Sequence, residues 1–567
     1  MCGITGIVGQ QATAEKLAAM LRAQKHRGPD ATGEFVDSQT TALGHNRLSI
    51  IDLSECANQP FTDYSGRYVM VFNGEIYNYL ELRDELRDRY DFVTQSDTEV
   101  LLAAWTIFGK QMLPKLNGMF ALAIWDKETQ SLFAARDRFG VKPFNYTVKD
   151  GNLYFSSEIK AIHAAGIPAL PDEKVWASYL VYGDYGQPDE TFWKDIKQLP
   201  GGFWLEWQQG NLKTGQWYDF VAEVKKQPQN LSYEASKSHY VALLKDSIAL
   251  RFRADVPVGF NISGGLDSSV LLAMVNDFAH GHSHINAYTF YTGNPDYDEL
   301  PWVEMMIAHT ENPLQKVLLQ PDEISALAEN ISFHEDEPFG GIPTLAYAKL
   351  FQRARRDGVK VLLDGQGMDE QWAGYDYYVK SDDVTIQGVA GSPYKPEVLS
   401  EAFFRLAEKP VYPKPFDDDM RNKQYRDLFY TKIPRALRFN DRVSMAYGTE
   451  LREPFLDYRL VEFAFSRPVD FKIRDGVRKW LLRDLAAEYL SDALVFAPKR
   501  PLQTPQREWL ANDLKPFVDI CLGKIAQSPA GSWFDRDRLQ KAWQQYQDGD
   551  QASSFHVWQW VSVALCV

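Results

Sequence analysis

Apolar positions along the first two hundred residues recur mostly at strand spacing. GRYVMVFNGEIYNY begins as an alternating strand, and its Asn73–Gly74 pair predicts a turn. MFALAIWDKETQSLFAARDRFG predicts two strands joined by a polar hairpin around Asp126–Thr129, and NLYFSSEIKAIHAAG passes from strand to helix. Helical periodicity marks AEKLAAMLRAQKH and NYLELRDELRDRY. Strands with helices on their faces imply a layered α/β domain. A polar stretch from Gln208 to Ser232 lacks sustained periodicity and is expected to be a junction, with a first domain over 1–210, a linker over 211–234 and a second domain over 235–567. Beyond it, VPVGFNI, INAYTFY and VKVLLDG predict buried parallel strands, each followed by a loop and a helix, as in a doubly wound sheet. From about Tyr394 onward the pattern is mainly helical.

The chain's 567 residues exceed what one core organises. Its net charge of −15 argues against a nucleic-acid partner, and an anionic substrate would need dedicated cations and a metal ion. Cys2, Cys56, Cys521 and Cys566 show neither zinc-ligand nor disulfide spacing, a pattern that fits a reducing cytoplasm. No secretory signal is read at the N-terminus, and the apolar VWQWVSVALCV is too short to span a bilayer, so it predicts a buried last element and no membrane partner.

Chemistry enters at Cys2. Removal of Met1 would leave a thiol and an α-amine on one residue, and an α-amine with a pKa of about 7.7–8.0 can serve as a base near neutral pH. Thiolate attack on an amide gives a thioester that water hydrolyses, and Gly3 and Gly6 permit close approach of a substrate. Alone, a cysteine at this position is usually incidental. Here it is followed by HRGPD (His26–Asp30), GHNRLSIID (Gly44–Asp52), NGEIYN (Asn73–Asn78) and SDTEV (Ser96–Val100). As a set these resemble the N-terminal-nucleophile glutaminase domain of class II glutamine amidotransferases, an αββα sandwich. The resemblance implies that Arg47 binds the glutamine carboxylate, that Asp97 and Glu75 bind its amine, and that the Asn73 side chain and the Gly74 N–H form an oxyanion hole.

A second constellation follows the strand VPVGFNI. SGGLDSS, Ser263–Ser269, opens a helix from a Ser/Gly turn, which aims backbone N–H groups and the positive helix end at an anion. It is not a Walker A loop. It resembles the pyrophosphate loop of enzymes that cleave ATP between its α- and β-phosphates, in which Ser263, Gly264, Gly265, Asp267 and Ser268 would contact ATP. Asp267, with Asp369 in VLLDGQGMDE, is a candidate Mg²⁺ ligand, and Lys499 in APKRPLQTP is a candidate pyrophosphate contact. The two halves together resemble the glutamine-hydrolysing asparagine synthetase family, supported by DEPFGG, NDRVSMAYGTELREPFLD and VRKWLLRDLA.

That resemblance implies a doubly wound pyrophosphatase-type second domain with a helical extension. Its implied substrates are glutamine, ATP and a carboxylate acceptor, with Mg²⁺, an acyl-adenylate and an internal ammonia channel, and it allows a homodimer. By position Asn261, Thr292, Asp364 and Gly365 match nucleotide contacts, although the family usually has an aliphatic residue at Thr292. Aspartate is the leading acceptor. However, Gln366 stands where the family usually carries an acidic residue, and a glutamine cannot act as a carboxylate base. Another carboxylate, or a glutaminase-only role, is the alternative. Asp441, Arg442, Glu450 and Arg452 could contact substrate or form a buried ion-pair network.

Overall fold

A computed structural model describes residues 2–37, 40–278, 285–379, 392–497, 504–550 and 553–567. The first domain holds two six-stranded antiparallel sheets. One runs, in spatial order, Lys197–Gln198, Asn145–Lys149, Asn152–Ser156, Gly3–Val8, Thr41–Arg47 and Ala31–Asp37; the other runs Asn211–Gln216, Phe203–Gln208, Ser131–Arg136, Gly118–Asp126, Tyr68–Ile76 and Phe61–Thr62. Strand alternation builds the layers. Ile4, Val8, Leu43, Val69 and Val71 meet between the sheets. The intervening Ile7 and Ala42 pack outward on the helices Ala14–Ala23 and Ile159–Ala164, and Met70 and Phe72 pack on Asp97–Phe108. The result is the expected αββα sandwich.

The structure departs from the sequence pattern at two places in this domain. The strand Tyr68–Ile76 runs straight through Asn73–Gly74, which pair with Ala121 and Phe120. The expected turn is absent because Gly74 serves close approach instead: a Cβ there would lie 2.1 Å from the Met119 carbonyl oxygen. The stretch read as unpatterned is also ordered. Asn211–Gln216 is an edge strand on Phe203–Gln208, and Phe220–Lys226 is a helix capped by Asp219 that buries Phe220 and Val224.

The second domain is built on a five-stranded parallel sheet in the order Leu314–Leu318, Ala287–Tyr291, Val258–Asn261, Val361–Leu363 and Glu450–Arg452. Numbered along the chain this is 3-2-1-4-5, with the topological switch between the first and fourth strands. Adjacent residues of one strand enter different cores: Leu363 faces the helices Tyr233–Arg251 and Leu266–Phe278, whereas Leu362 faces Ile342–Arg356. The fifth strand lies inside the segment expected to be helical, and three residues are too few to show a period. The apolar C-terminal stretch forms a helix, Phe555–Cys566, with Val557, Trp558, Trp560 and Val561 buried. Among the described residues no helix is long and apolar enough to cross a membrane.

The two domains share a core. Leu48, Ile50, Met119 and Val141 of the first pack with Val361, Leu437, Met445 and Leu456 of the second.

Candidate active sites

Register explains the first site. Cys2 continues the inward alternation of Ile4 and Val8, Arg47 that of Leu43, and Asn73 and Glu75 that of Val69 and Val71. Residues far apart in sequence therefore converge at one end of the space between the sheets. The Cys2 backbone N–H donates to Asn73 Oδ1 at 2.9 Å. Asn73 Nδ2 is buried and has no hydrogen-bond partner, a donor left for an incoming acceptor. Burial raises the Cys2 thiol above its ordinary value, so its deprotonation needs a local base.

The arginine and acids of this site are already engaged. Arg47 donates from Nη1 to the Ser54 carbonyl at 2.7 Å and Asn58 Oδ1 at 2.8 Å, and from Nη2 to the Ile51 and Asp52 carbonyls. The loop 51–58 thus wraps the guanidinium. Asp97 begins the helix Asp97–Phe108, capped by Ser96, and accepts from the Ile76 N–H at 3.0 Å. Burial pushes Asp97 up to about 6, and burial together with Glu450 raises Glu75 well above the carboxylate range. Glu75 Oε2 lies 3.3 Å from Arg452 Nη2, too poorly aligned for a hydrogen bond.

The raised Asp97 carries a testable cost. Its native state holds a proton more tightly than an unfolded aspartate does, so stability falls as pH rises from about 4 to 6 and the penalty is complete above that. Asp97→Asn, which can still accept from Ile76, is expected to stabilise the protein by up to about 3 kcal/mol at pH 8 and to change nothing below pH ~4. A thermal melt at pH 8 that shows no gain would show that the buried carboxylate is not charged there.

The second site lies at the switch point. The loop after Val258–Asn261 carries Ser263–Ser268, with Gly264 in the left-handed region (φ 70°) and a Cβ there 3.0 Å from Trp302 Cβ. Ser268 Oγ donates to the Gly265 carbonyl at 3.1 Å, which locks the turn. The loop after Val361–Leu363 meets it: Asn261 Nδ2 donates to Asp364 Oδ2 at 2.8 Å, and a Cβ on Gly365 would lie 3.2 Å from the Ser268 nitrogen. Burial pushes Asp364 up to about 6. Asp267 and Asp369 converge on one ammonium, with Lys479 Nζ at 2.6 Å from each.

Two family models divide this chain where the two sites divide it: the glutamine amidotransferase domain matches residues 1–218, and asparagine synthase matches residues 239–566. The chain belongs to the asparagine synthase family. It is 29% identical to asparagine synthetase [glutamine-hydrolyzing] 1 of Bacillus subtilis, over 91% of this chain and 89% of that one. It is 30% identical to a putative asparagine synthetase [glutamine-hydrolyzing] of Mycobacterium tuberculosis, over 98% and 95% respectively. A third relative, amidase chyE of Penicillium rubens, is 26% identical over 90% and 89%.

Within the asparagine synthase half, the sequence-derived residues divide by what they already bind. Asn261, Ser263, Gly265, Asp267, Ser268, Asp364, Gly365 and Asp369 come together at the carboxyl ends of the first and fourth strands. Thr292 directly follows the neighbouring strand Ala287–Tyr291, but both its N–H and its hydroxyl donate to Asp298, at 2.7 and 2.8 Å. Lys499 lies outside the described residues. Lys479 was not singled out in the sequence. The sequence signal for it is only a lysine within VRKWLLRDLA; the structure adds a φ of 57°, unusual for a non-glycine residue, at the start of the helix Trp480–Ala486.

Asp441, Arg442, Glu450 and Arg452 are buried and fall in two ion-pair groups. Arg27 lies 2.8 Å from Asp441 and 3.0 Å from Glu158, while Arg442 donates to the Ser157 carbonyl at 2.6 Å. Arg452 joins the two sites. Its side chain reaches Glu450 at 2.6 Å and Glu75 at 3.3 Å, and its carbonyl accepts from the Asp364 N–H at 2.9 Å.

Proposed function

We propose that this chain hydrolyses glutamine at Cys2 and uses the ammonia to amidate a carboxylate activated by ATP as an acyl-adenylate, with aspartate the leading acceptor. The observation that carries this reading is the assembly of two distinct sites bridged by a single buried residue, Arg452.

At the first site, the α-amine freed by loss of Met1 takes the thiol proton, and the thiolate attacks the glutamine amide carbon. The oxyanion accepts from Asn73 Nδ2 and the Gly74 N–H, and the proton passes to the departing ammonia, leaving a thioester for water to cleave. A glutamine carboxylate reaching Arg47 would have to replace carbonyls of the 51–58 loop, so glutamine binding is coupled to movement of that loop. Asp97 and Glu75 would receive the substrate ammonium, which would itself favour their charged forms.

At the second site the SGGLDSS loop would cradle phosphates, and Lys479 would offset charge on the departing pyrophosphate. Two carboxylates that already share one cation have the donor chemistry for Mg²⁺, with phosphate oxygens completing the set. Asp267 and Asp369 would hold the ion, and its contribution when bound is to neutralise phosphate charge. Acceptor carboxylate oxygen attacks the α-phosphorus and pyrophosphate leaves; ammonia then attacks the acyl carbon and AMP leaves. Ammonia would travel along the interface past Arg452.

Gln366 favours a second reading, in which the same chemistry acts on an acceptor other than aspartate, because a glutamine side chain does not take a proton from attacking ammonia. The test is pyrophosphate release with aspartate and a panel of other carboxylates, with product masses recorded. Glutamine-dependent formation of AMP, pyrophosphate and an amide is expected. A folded protein that releases pyrophosphate with none of them would sink the proposal.

A further inference from the structure

A cavity of about 240 Å³ lies between the two domains, the kind of place where ligand pockets preferentially form. Phe139, Tyr218 and Phe220 line it on one side, and Phe429, Tyr430 and the helix Lys432–Ala446 on the other. The rings already pack on one another, with Phe220 centred 5.1 Å and Phe139 6.0 Å from Phe429. About 150 Å³ is enough to enclose a benzene molecule in an apolar cavity, so this one has room for a single ring and an acid group.

The helix supplies the charge. Arg435, Arg438 and Arg442 stand at i, i+3 and i+7, on one helix face, and all three line the cavity. Arg438 Nη1 meets Glu337 at 3.0 Å and Arg442 Nη1 donates to the Ser157 carbonyl at 2.6 Å, yet the Nε–H of each is buried without a hydrogen-bond partner. Arg442 is 2% exposed. Arg435 is half-buried, and its guanidinium forms neither a hydrogen bond nor an ion pair among the described residues. It lies over the Tyr185 ring at 5.5 Å, a contact that leaves its N–H donors free.

The acids at this cavity do not supply what Arg435 lacks. Glu337 is held by Arg438 and by the Phe192 N–H at 2.8 Å. Asp441 is held by Arg27 at 2.8 Å. Asp219 caps the helix Phe220–Lys226, accepting from the Ala222 N–H at 3.0 Å. Each lining acid has a partner already, whereas Arg435 has none.

We propose that this cavity is a binding site for a small aromatic anion, a planar ring that carries a carboxylate or a phosphate. The ring sits among Phe139, Phe220 and Phe429, and the acid group meets the Arg435 guanidinium on the cationic face of the helix. A guanidinium binds either acid through paired, charge-assisted hydrogen bonds, and stacking adds to the apolar area that a ring buries. An anion without a ring forfeits the second contribution, and a neutral ring forfeits the first. The site is separate from both reaction centres, and the proposal holds whichever acid is adenylated.

The test is calorimetry on the full chain with phenyl phosphate, benzoate, inorganic phosphate, acetate and phenol. Phenyl phosphate or benzoate is expected to bind at least tenfold more tightly than the two ring-free anions and phenol, and the tighter of the pair tells which acid group the site takes. Arg435→Gln is expected to melt like the parent, because that guanidinium bonds to nothing in the chain, and to keep glutaminase activity. It should lose at least tenfold of the affinity for the aromatic anion. Equal affinity in the parent and Arg435→Gln would put the ligand elsewhere, the Ser263–Ser268 loop included, and overturns the proposal. So does equal affinity for ring-bearing and ring-free anions, or an aromatic anion that binds no better than phenol.

Discussion

Cys2→Ala is expected to lower glutamine-dependent synthesis at least about a thousandfold while leaving synthesis from added ammonia within about twofold of the parent. In the proposed mechanism the thiol is the nucleophile, and no other described cysteine is placed to replace it: Cys56 is exposed on the 51–58 loop, and Cys521 and Cys566 pack into the core of the second domain. An alanine fits, since Cys2 is buried and its Sγ makes only a long contact, 3.9 Å, to the Leu48 carbonyl. The Asn73 side chain and the Arg452 bridge are untouched by the change, so the ammonia reaction has no reason to fall. Parallel assays with glutamine and with ammonium at one protein concentration check this. Loss of both activities in a variant that melts like the parent would contradict independent sites.

The second large effect is at Lys479. Lys479→Met is expected to reduce pyrophosphate formation by about 10²–10³ and to leave glutamine hydrolysis intact, the scale seen when one fixed charge-stabilising group is removed from a reaction centre. The ammonium neutralises Asp267 and Asp369 together. Its removal leaves two carboxylates facing each other, and breaking a buried pair costs roughly 3–5 kcal/mol. Activity and folding must therefore be separated. Lys479→Arg keeps the charge and should recover most of the melting temperature; excess Mg²⁺ should also stabilise the methionine variant by neutralising the carboxylates, without restoring turnover. Pyrophosphate formation by Lys479→Met at the parent's rate would remove this lysine from the mechanism.

What could be read along the chain followed from local chemistry. SGGLDSS is contiguous, and a strand, a Ser/Gly turn and a helix specify their own geometry, so the loop was legible without a partner. Long alternating segments such as MFALAIWDKETQSLFAARDRFG likewise gave their strands and hairpin. Short or doubly determined segments did not. Glu450–Arg452 is a strand only because Val361–Leu363 offers it an edge, and Asn73–Gly74 remains extended because Met119 and Phe120 hold it there.

The sequence by itself determined the inventory of candidates: Cys2 as the proposed nucleophile, Asn73 as the proposed oxyanion donor, the Ser263–Ser268 loop as the proposed phosphate cradle, and the acids Asp267 and Asp369. Each is a side chain whose chemistry is fixed by its type or by its immediate neighbours. The tertiary structure decided which of them meet and what already occupies them. It closed the 51–58 loop around Arg47, placed Lys479 between two acids more than a hundred residues apart from each other, and made Arg452 the bridge from Glu75 to Asp364. Long-range pairing depends on strand register and on the packing of two domains, and neither is encoded in any single window of residues.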